Sequence, residues 1–290
     1  MRDRRSLGPR RGPWVRATPL LLAFALVAAA PADEIQLSGQ PQQGALLRGT
    51  APPGTTALRL DGKPIPLGEG GAFLVGFDRD APPKAELVAE RSGGTSIRLL
   101  TVAPRAWDIE RVDTPLRQGI PNEEFQRVRA AELARIAAAR ATPVTSDGWR
   151  QQFAWPARGR ISGVFGSQRI YQGEPGSYHS GVDIAAGAGA TVTAPADGVV
   201  VLAGPPVFSL EGNLVIVSHG MGLDSAFLHL ATVAVKEGQR VRQGDPIGTV
   251  GATGRATGPH LHWSMKWQNA RIDPQPLAGP MPAATIPPKE

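Results

Sequence analysis

The sequence predicts a mainly β protein in which a small β-sandwich domain and one linker helix precede an antiparallel β-sheet folded over into a groove. Short runs of alternating apolar and polar residues, separated by glycine and proline turns, recur through most of the chain and are typical of strands. Residues 122–140 instead combine a capping residue, acidic residues in the first turn and arginine in the last, which is the pattern of a helix. A chain of 290 residues has room for two domains.

Residues 1–32 have the pattern of a secretory signal peptide. Six arginines against one aspartate give this segment a net charge of +5, and an apolar run from Leu20 to Ala30 follows the charges. The run is too short for a membrane span, which needs about 20 apolar residues. Ala30-Pro-Ala32 fits an A-x-A cleavage site with Asp33 as the new N-terminus, and an uncleaved anchor is the alternative.

The charge distribution decides which partners the mature chain is expected to have. The formal net charge is +6, so only +1 remains outside the leader, and nothing indicates nucleic acid as a partner. We expect a periplasmic or secreted monomer with no stable membrane span after leader cleavage. Cysteine is absent, which excludes disulfides and a cytosolic redox role, so an exported chain must rely on its packed core for stability.

Residues 33–105 are predicted to form the β-sandwich domain. Asp61-Gly62 between two alternating runs is a hairpin signal, and glycine-rich turns follow at 68–71 and 92–94. The segment has no histidine and no group of carboxylates that could be assembled into a site. We interpret it as a passive folding or spacing domain, with a binding or positioning module as the alternative.

Residues 106–148 are predicted to be a linker that contains the helix. Asn122 can cap a helix that runs to Arg140, and Pro143 follows its end. The apolar stripe of this helix is ragged, so we interpret it as a strut whose arginines face solvent.

The candidate functional residues all lie in residues 149–280. The five histidines of the chain fall there, which indicates a site rather than isolated structural residues: His179, His219, His229, His260 and His262. In a regular strand His179 and Asp183 would lie about 13 Å apart, too far to share an ion bound at about 2 Å. The segment must therefore bend, and Gly181 can supply the freedom to do so.

Strand periodicity groups the remaining histidines. It puts the imidazoles of His260 and His262 on one face and Leu261 toward the core. Two ligands from the first stretch and one from the second would give the three protein ligands of a catalytic zinc site. The same alternation points Phe227 and His229 to one side of a groove, whereas His219, at the end of an apolar strand, is interpreted as structural.

Three motifs resemble those of the lysostaphin/LytM-type zinc endopeptidases, which cut peptidoglycan cross-bridges. They are Tyr178-His-Ser-Gly-Val-Asp-Ile184, Phe227-Leu-His229-Leu and Gly254-Arg-Ala-Thr-Gly-Pro-His-Leu-His262, and the resemblance covers residues 155–275. It implies a zinc peptidase domain over residues 149–280, Zn²⁺ held by His179, Asp183 and His262, and a catalytic pair of His229 and His260. One departure is visible, because Phe227 stands where the family commonly has tyrosine.

The resemblance makes an exported zinc metalloendopeptidase of bacterial peptidoglycan the expected function. The chain has no His-Glu-x-x-His arrangement, so histidine must do the work of the general base. We expect the D-alanyl to diaminopimelate cross-link as substrate rather than a pentaglycine bridge. The alternatives are a non-catalytic regulator of cell-wall amidases on the same fold and a secreted metallopeptidase acting on proteins.

The position of the linker suggests a further hypothesis. Residues 104–142 come immediately before the predicted catalytic domain, so the N-terminal half could partly cover the groove and restrain activity. A plain spacer is the simpler interpretation of the same residues.

Overall fold

The computed structural model describes residues 33–116 and 122–282. The predicted signal peptide, residues 1–32, lies outside the described residues. The described residues belong to one compact unit. None of their helices combines the length and the apolar character needed to cross a membrane.

The strands of residues 33–105 form two antiparallel sheets. Their bounds are β1 Gln36–Ser38, β2 Leu46–Thr50, β3 Thr55–Leu60, β4 Lys63–Ile65, β5 Ala72–Gly76, β6 Lys84–Arg91 and β7 Gly94–Thr101. One sheet has the order β1-β2-β5 and the other β4-β3-β6-β7. Phe73 and Leu87, one from each sheet, are fully buried in the same apolar core, as expected of a sandwich.

The predicted hairpin lies between β3 and β4. Asp61 and Gly62 have φ of 48° and 75°, the left-handed values that a two-residue type I′ turn requires at both central positions. The Asp-Gly pair therefore sets the register in which Leu60 faces Lys63.

The linker contributes a strand as well as the predicted helix. β8 (Ile109–Val112) pairs in parallel with β10 (Gln168–Tyr171), so the extended part of the linker is bound to the following domain. The helix α1 spans Glu123–Ala141, and the Asn122 side chain caps it by accepting from the Phe125 amide at 2.8 Å. The predicted cap and helix are confirmed.

The interpretation of the arginines of α1 as solvent-facing is wrong for Arg129. Its guanidinium makes two 2.6 Å bonds to Glu211, and both side chains are less than a fifth exposed. Glu132 is also buried and accepts from the amide and the hydroxyl of Ser209. These partners are 77 and 82 residues away in the sequence, so the ragged stripe could not reveal them.

The C-terminal part is an antiparallel sheet. Its further strands and short helix are β9 Arg160–Gly163, β11 Glu174–Pro175, β12 Val182–Ala185, β13 Thr191–Thr193, β14 Gly198–Leu202, β15 Asn213–Ser218, β16 Leu223–Val233, β17 Arg240–Val241, β18 Pro246–Val250, β19 Leu261–Trp267, β20 Ala270–Ile272 and α2 Gln275–Ala278. The central order is β17-β14-β15-β16-β19-β12-β9. Residues 167–178, which lead to His179, contain the β10–β11 hairpin.

Side chains connect the N-terminal sheets to the C-terminal part. Arg48 in β2 donates to the carbonyls of Trp149 and Gln151, and Arg105 pairs with the buried Asp273 at 2.7 Å. The domain boundaries placed at 105/106 and 148/149 stay predictions.

Candidate metal centre and catalytic groove

Two neighbouring strands bring three metal-ligating side chains together. Asp183 in β12 lies directly opposite His262 in β19, and the loop before β12 brings in His179. The Asp183 Oδ1 atom lies 2.8 Å from His262 Nδ1 and 3.0 Å from His179 Nε2, and the two nitrogens are 3.0 Å apart. The structure thus brings together the three side chains that the sequence predicted as metal ligands.

Gly181 is required for a different reason from the one expected. The chain does bend between His179 and Asp183, but Gly181 is not among the residues with positive φ. A Cβ at this position would instead collide with the Trp263 carbonyl and lie 2.8 Å from His262 Nε2. The glycine therefore permits close approach of the loop to β19 rather than an unusual backbone angle.

The surroundings fix which atoms of the ligands face a cation. The Nδ1–H of His179 donates to the Val164 carbonyl at 3.0 Å, which leaves Nε2 as the ring nitrogen that faces Asp183. Burial alone would raise the pKa of the Asp183 carboxyl, but the bonds to His179 and His262 outweigh it and hold that pKa well below its usual range. Burial lowers the pKa of His262. At neutral pH the site therefore offers an anionic oxygen and a neutral imidazole.

The second pair of histidines lies beside these ligands. The rings of His229 and His260 are 5.0 Å apart, and His260 Nε2 is 3.7 Å from Asp183 Oδ1. Their Nδ1 atoms face the carbonyls of Thr253 and Gly258, each at 2.8 Å. Because a carbonyl only accepts, both Nδ1 atoms carry the proton and both Nε2 atoms can accept one.

A β-bulge directs His229 into the groove. Its backbone has φ of 62°, and the register of β16 against β15 shifts between the Phe227 and Leu230 pairings. The expectation that Phe227 and His229 share one side is wrong, because the bulge breaks the strand alternation. Phe227 is fully buried in the core, whereas His229 lines the cavity. Burial lowers the pKa of His229, and the neighbouring His260 and His262 lower it further.

The three candidate metal ligands and the histidine pair line one cavity of about 760 Å³. Tyr178, Arg255 and Arg271 contribute to its walls, and so does Arg129 from α1. Sequence reasoning missed these four residues. Tyr178 directly precedes His179, and Arg255 lies five residues before His260, so both could have been found from the motifs, whereas Arg129 and Arg271 reach the site only through the tertiary fold.

The remaining histidine, His219, is structural, as the sequence predicted. It is fully buried, its Nδ1–H donates to the Asp197 carbonyl at 2.9 Å, and Ser225 Oγ lies 2.9 Å from its Nε2. Burial lowers the pKa of His219 to about 4. A neutral imidazole with both nitrogens bonded has no proton to exchange with a substrate.

The helix α1 lies along the groove, as required by the hypothesis that the N-terminal half partly covers it. Arg129 lines the cavity that contains the histidine pair, and its bonds to Glu211 hold the helix against the C-terminal part of the chain. Whether the helix restrains activity stays a prediction.

Comparison with known proteins identifies the family. The model of peptidase family M23 matches residues 177–274, which include all five residues of the site. A crystal structure from Pseudomonas aeruginosa described as an M23 peptidase is 30% identical, with a TM-score of 0.65, over 83% of this chain and 96% of that one. The chain belongs to peptidase family M23.

Relatives of known name also match part of this chain. The peptidoglycan DD-endopeptidase ShyA of Vibrio cholerae is 35% identical over 48% of this chain and 32% of its own length. The murein hydrolase activator NlpD of Escherichia coli is 35% identical over 46% of this chain and 31% of its own length. The chain spans only 18% to 32% of the first such relatives it matches, so their whole-protein activities do not transfer directly.

Proposed function

We propose that this M23 chain is an exported zinc endopeptidase that hydrolyses peptide cross-links of bacterial peptidoglycan. The observation that carries the proposal is the joint geometry of three converging donor atoms and two adjacent imidazoles in one cavity. The similarity to a DD-endopeptidase supports the substrate class.

The residues of the centre fit zinc. Two imidazoles and one carboxylate form a donor set typical of this ion. Three atoms at about 2 Å from one tetrahedral ion stand about 3.3 Å apart, close to the 2.8–3.0 Å separations of His179, Asp183 and His262. When bound by these ligands, zinc lowers the pKa of a water molecule toward 7 and polarises the scissile carbonyl.

The histidine pair supplies the proton handling. With their Nδ1 atoms held by carbonyls, the Nε2 atoms of His229 and His260 orient the attacking water and accept its proton. The imidazolium formed in this way stabilises the negative charge that develops on the carbonyl oxygen and returns the proton to the leaving amine. The lowered pKa of His229 keeps it in the neutral, accepting form at pH 7.

Digestion of purified cell walls tests the reaction. The chain from Asp33 onward is incubated with walls cross-linked by D-alanyl to diaminopimelate bonds and with walls bridged by pentaglycine, and the muropeptides are separated and weighed by mass spectrometry. We expect cross-linked dimers of the first type to become monomers. A casein or elastin digest run in parallel covers the alternative that proteins are the substrate.

Elemental analysis tests the metal centre independently of activity. Asp183→Ala and His262→Ala should each lose zinc relative to the unaltered chain, because only two donors remain. Full zinc occupancy in both variants would contradict the ligand assignment.

The similarity to NlpD supports a second candidate, a regulator of cell-wall amidases. This candidate predicts no release of muropeptides by the chain alone and faster amide cleavage when an amidase is added. The complete set of ligands and the adjacent histidine pair favour catalysis, because a regulator needs neither.

Export is part of the proposal and has its own test. N-terminal sequencing of the protein recovered from outside the cytoplasm should begin at Asp33. Recovery of a chain that still begins before residue 30 would favour the uncleaved anchor.

A further inference from the structure

A second cavity extends the catalytic groove beneath α1. It has a volume of about 370 Å³ and adjoins the catalytic cavity, because the two share six wall residues: Arg129, Ser180, Glu211, Leu228, His262 and Arg271. A peptide whose scissile bond lies at the metal ligands would therefore have its neighbouring residues in this second cavity.

Three cationic side chains converge on the second cavity from three different elements. Arg140 comes from the last turn of α1, Lys266 from β19 and Arg271 from β20. We call this group the cationic subsite. The described residues form ion pairs such as Arg129 with Glu211, but none of them involves these three side chains.

The three cations of the subsite are only partly balanced by nearby negative charge. The Nε–H of Arg140 is buried and has no hydrogen-bond partner. Burial lowers the pKa of Arg140 and of Lys266, and in each case Arg271 lowers it further. Two carboxylates partly offset this effect, because Asp224 favours the charged forms of Arg140 and Lys266, and Asp78 favours those of Lys266 and Arg271. Crowded, partly desolvated cations of this kind are stabilised when an anion enters.

We propose that the cationic subsite binds a free carboxylate of the peptide substrate, next to the bond that is cut. The inference rests on the proposed peptidase function and adds a determinant of specificity to it. Arginine and lysine form charge-assisted hydrogen bonds to carboxylates. Leu133 and Ile136, on the α1 side of the cavity, offer apolar contact for the aliphatic part of the same substrate residue.

A pair of substrates that differ only in charge tests the subsite. One is a purified muropeptide dimer with its carboxylates free, and the other is the same dimer after conversion of the carboxylates to amides. The unaltered chain should have a lower KM for the carboxylate form. In Lys266→Met and Arg140→Met, KM for the carboxylate form should rise at least about tenfold, with little change in kcat. This is the loss of affinity expected when a hydrogen bond to a charged group is removed. KM for the amide should change little.

Arg127→Met is the matched control. Arg127 lies on the same helix, is three-quarters exposed and pairs only with Glu124 among the described residues, so its loss should leave both KM values unchanged. Thermal melting shows whether each variant folds. If Arg140→Met does not fold, Lys266→Met decides, because Lys266 belongs to a different element.

The outcomes separate this proposal from the proposed function. Equal KM for the two substrates, or a rise on both of them in the variants, overturns the subsite. If the unaltered chain cuts neither dimer, the endopeptidase proposal fails, and calorimetric titration of the same two dimers still tests the subsite. The subsite proposal is supported if Lys266→Met binds the carboxylate form at least about tenfold more weakly than the unaltered chain does. Equal affinity of the unaltered chain for the two forms overturns the proposal.

Discussion

Two single residues, His229 and His260, carry the proposed proton transfers. Each has its Nδ1–H bonded to a backbone carbonyl, and neither belongs to the three-ligand group. His229→Ala and His260→Ala should therefore keep their zinc and lower turnover by roughly 100-fold or more. Elemental analysis and the rate of muropeptide release measure the two effects separately. A variant that digests walls at the normal rate would assign that imidazole a structural role.

His219 should make stability depend on pH. Its pKa is about 4 in the folded chain against 6.5 in the unfolded one, so the unfolded state binds more protons between these values. The contribution of His219 to the free energy of unfolding is complete above pH 6.5 and is lost as the pH falls toward 4. The loss amounts to about 2 kcal/mol at pH 5. Urea unfolding at pH 7 and pH 5 measures the loss.

The control for this effect is His219→Gln, which keeps a polar side chain without a titrating group. Its free energy of unfolding should change less between pH 7 and pH 5 than that of the unaltered chain, and the difference isolates His219 from the other histidines. Equal changes in the two proteins would show that His219 does not cause the dependence.

At the scale of elements, the bulge in β16 stores backbone strain at a catalytic position. A left-handed backbone, such as φ of 62° at His229, costs an L-residue roughly 1–2 kcal/mol, whereas glycine adopts it freely. His229→Gly should therefore be more stable than His229→Ala by about 1 kcal/mol, although both lack the imidazole. Urea unfolding of the two variants gives the comparison.

At a regular strand position the alanine variant should be more stable than the glycine variant, the opposite of the order expected at His229. Glu86 lies on an exposed face of β6 and is not among the residues with positive φ, so Glu86→Gly should be less stable than Glu86→Ala by about 0.5–1 kcal/mol. The same order at both positions would mean that the bulge is not strained.

Elements with local signals could be predicted from the sequence, and elements built by distant contacts could not. The β3–β4 hairpin follows from Asp61-Gly62, and α1 follows from its cap at Asn122, because each depends on a few adjacent residues. The cluster of His179, Asp183 and His262 could be predicted because these residue types bind metal ions. The pairing of β8 with β10 and the bulge at His229 depend on partners elsewhere in the chain, and alternation alone placed Phe227 wrongly.

At the scale of the whole molecule, the N-terminal half contacts the loop that delivers a metal ligand. Asp78, just after β5, accepts from the Tyr178 hydroxyl at 2.9 Å and from the Arg271 amide at 2.8 Å. Arg79 stacks on the Tyr178 ring and donates to the Gly166 carbonyl. Because Tyr178 directly precedes His179, these contacts argue for a positioning role of the N-terminal half rather than a passive one.

Removal of the Asp78 carboxylate tests this coupling. Asp78→Ala should lower kcat/KM by roughly 10- to 100-fold, because two wall residues of the groove lose their fixed positions. Tyr178→Phe, which removes only the hydroxyl, should lower it in the same direction. The control is Asp80→Ala, since Asp80 lies two residues away, is mostly exposed and pairs with Arg79. If kcat/KM is the same in Asp78→Ala, Asp80→Ala and the unaltered chain, the groove keeps its geometry without the Asp78 carboxylate. The N-terminal half would then be interpreted as a spacer.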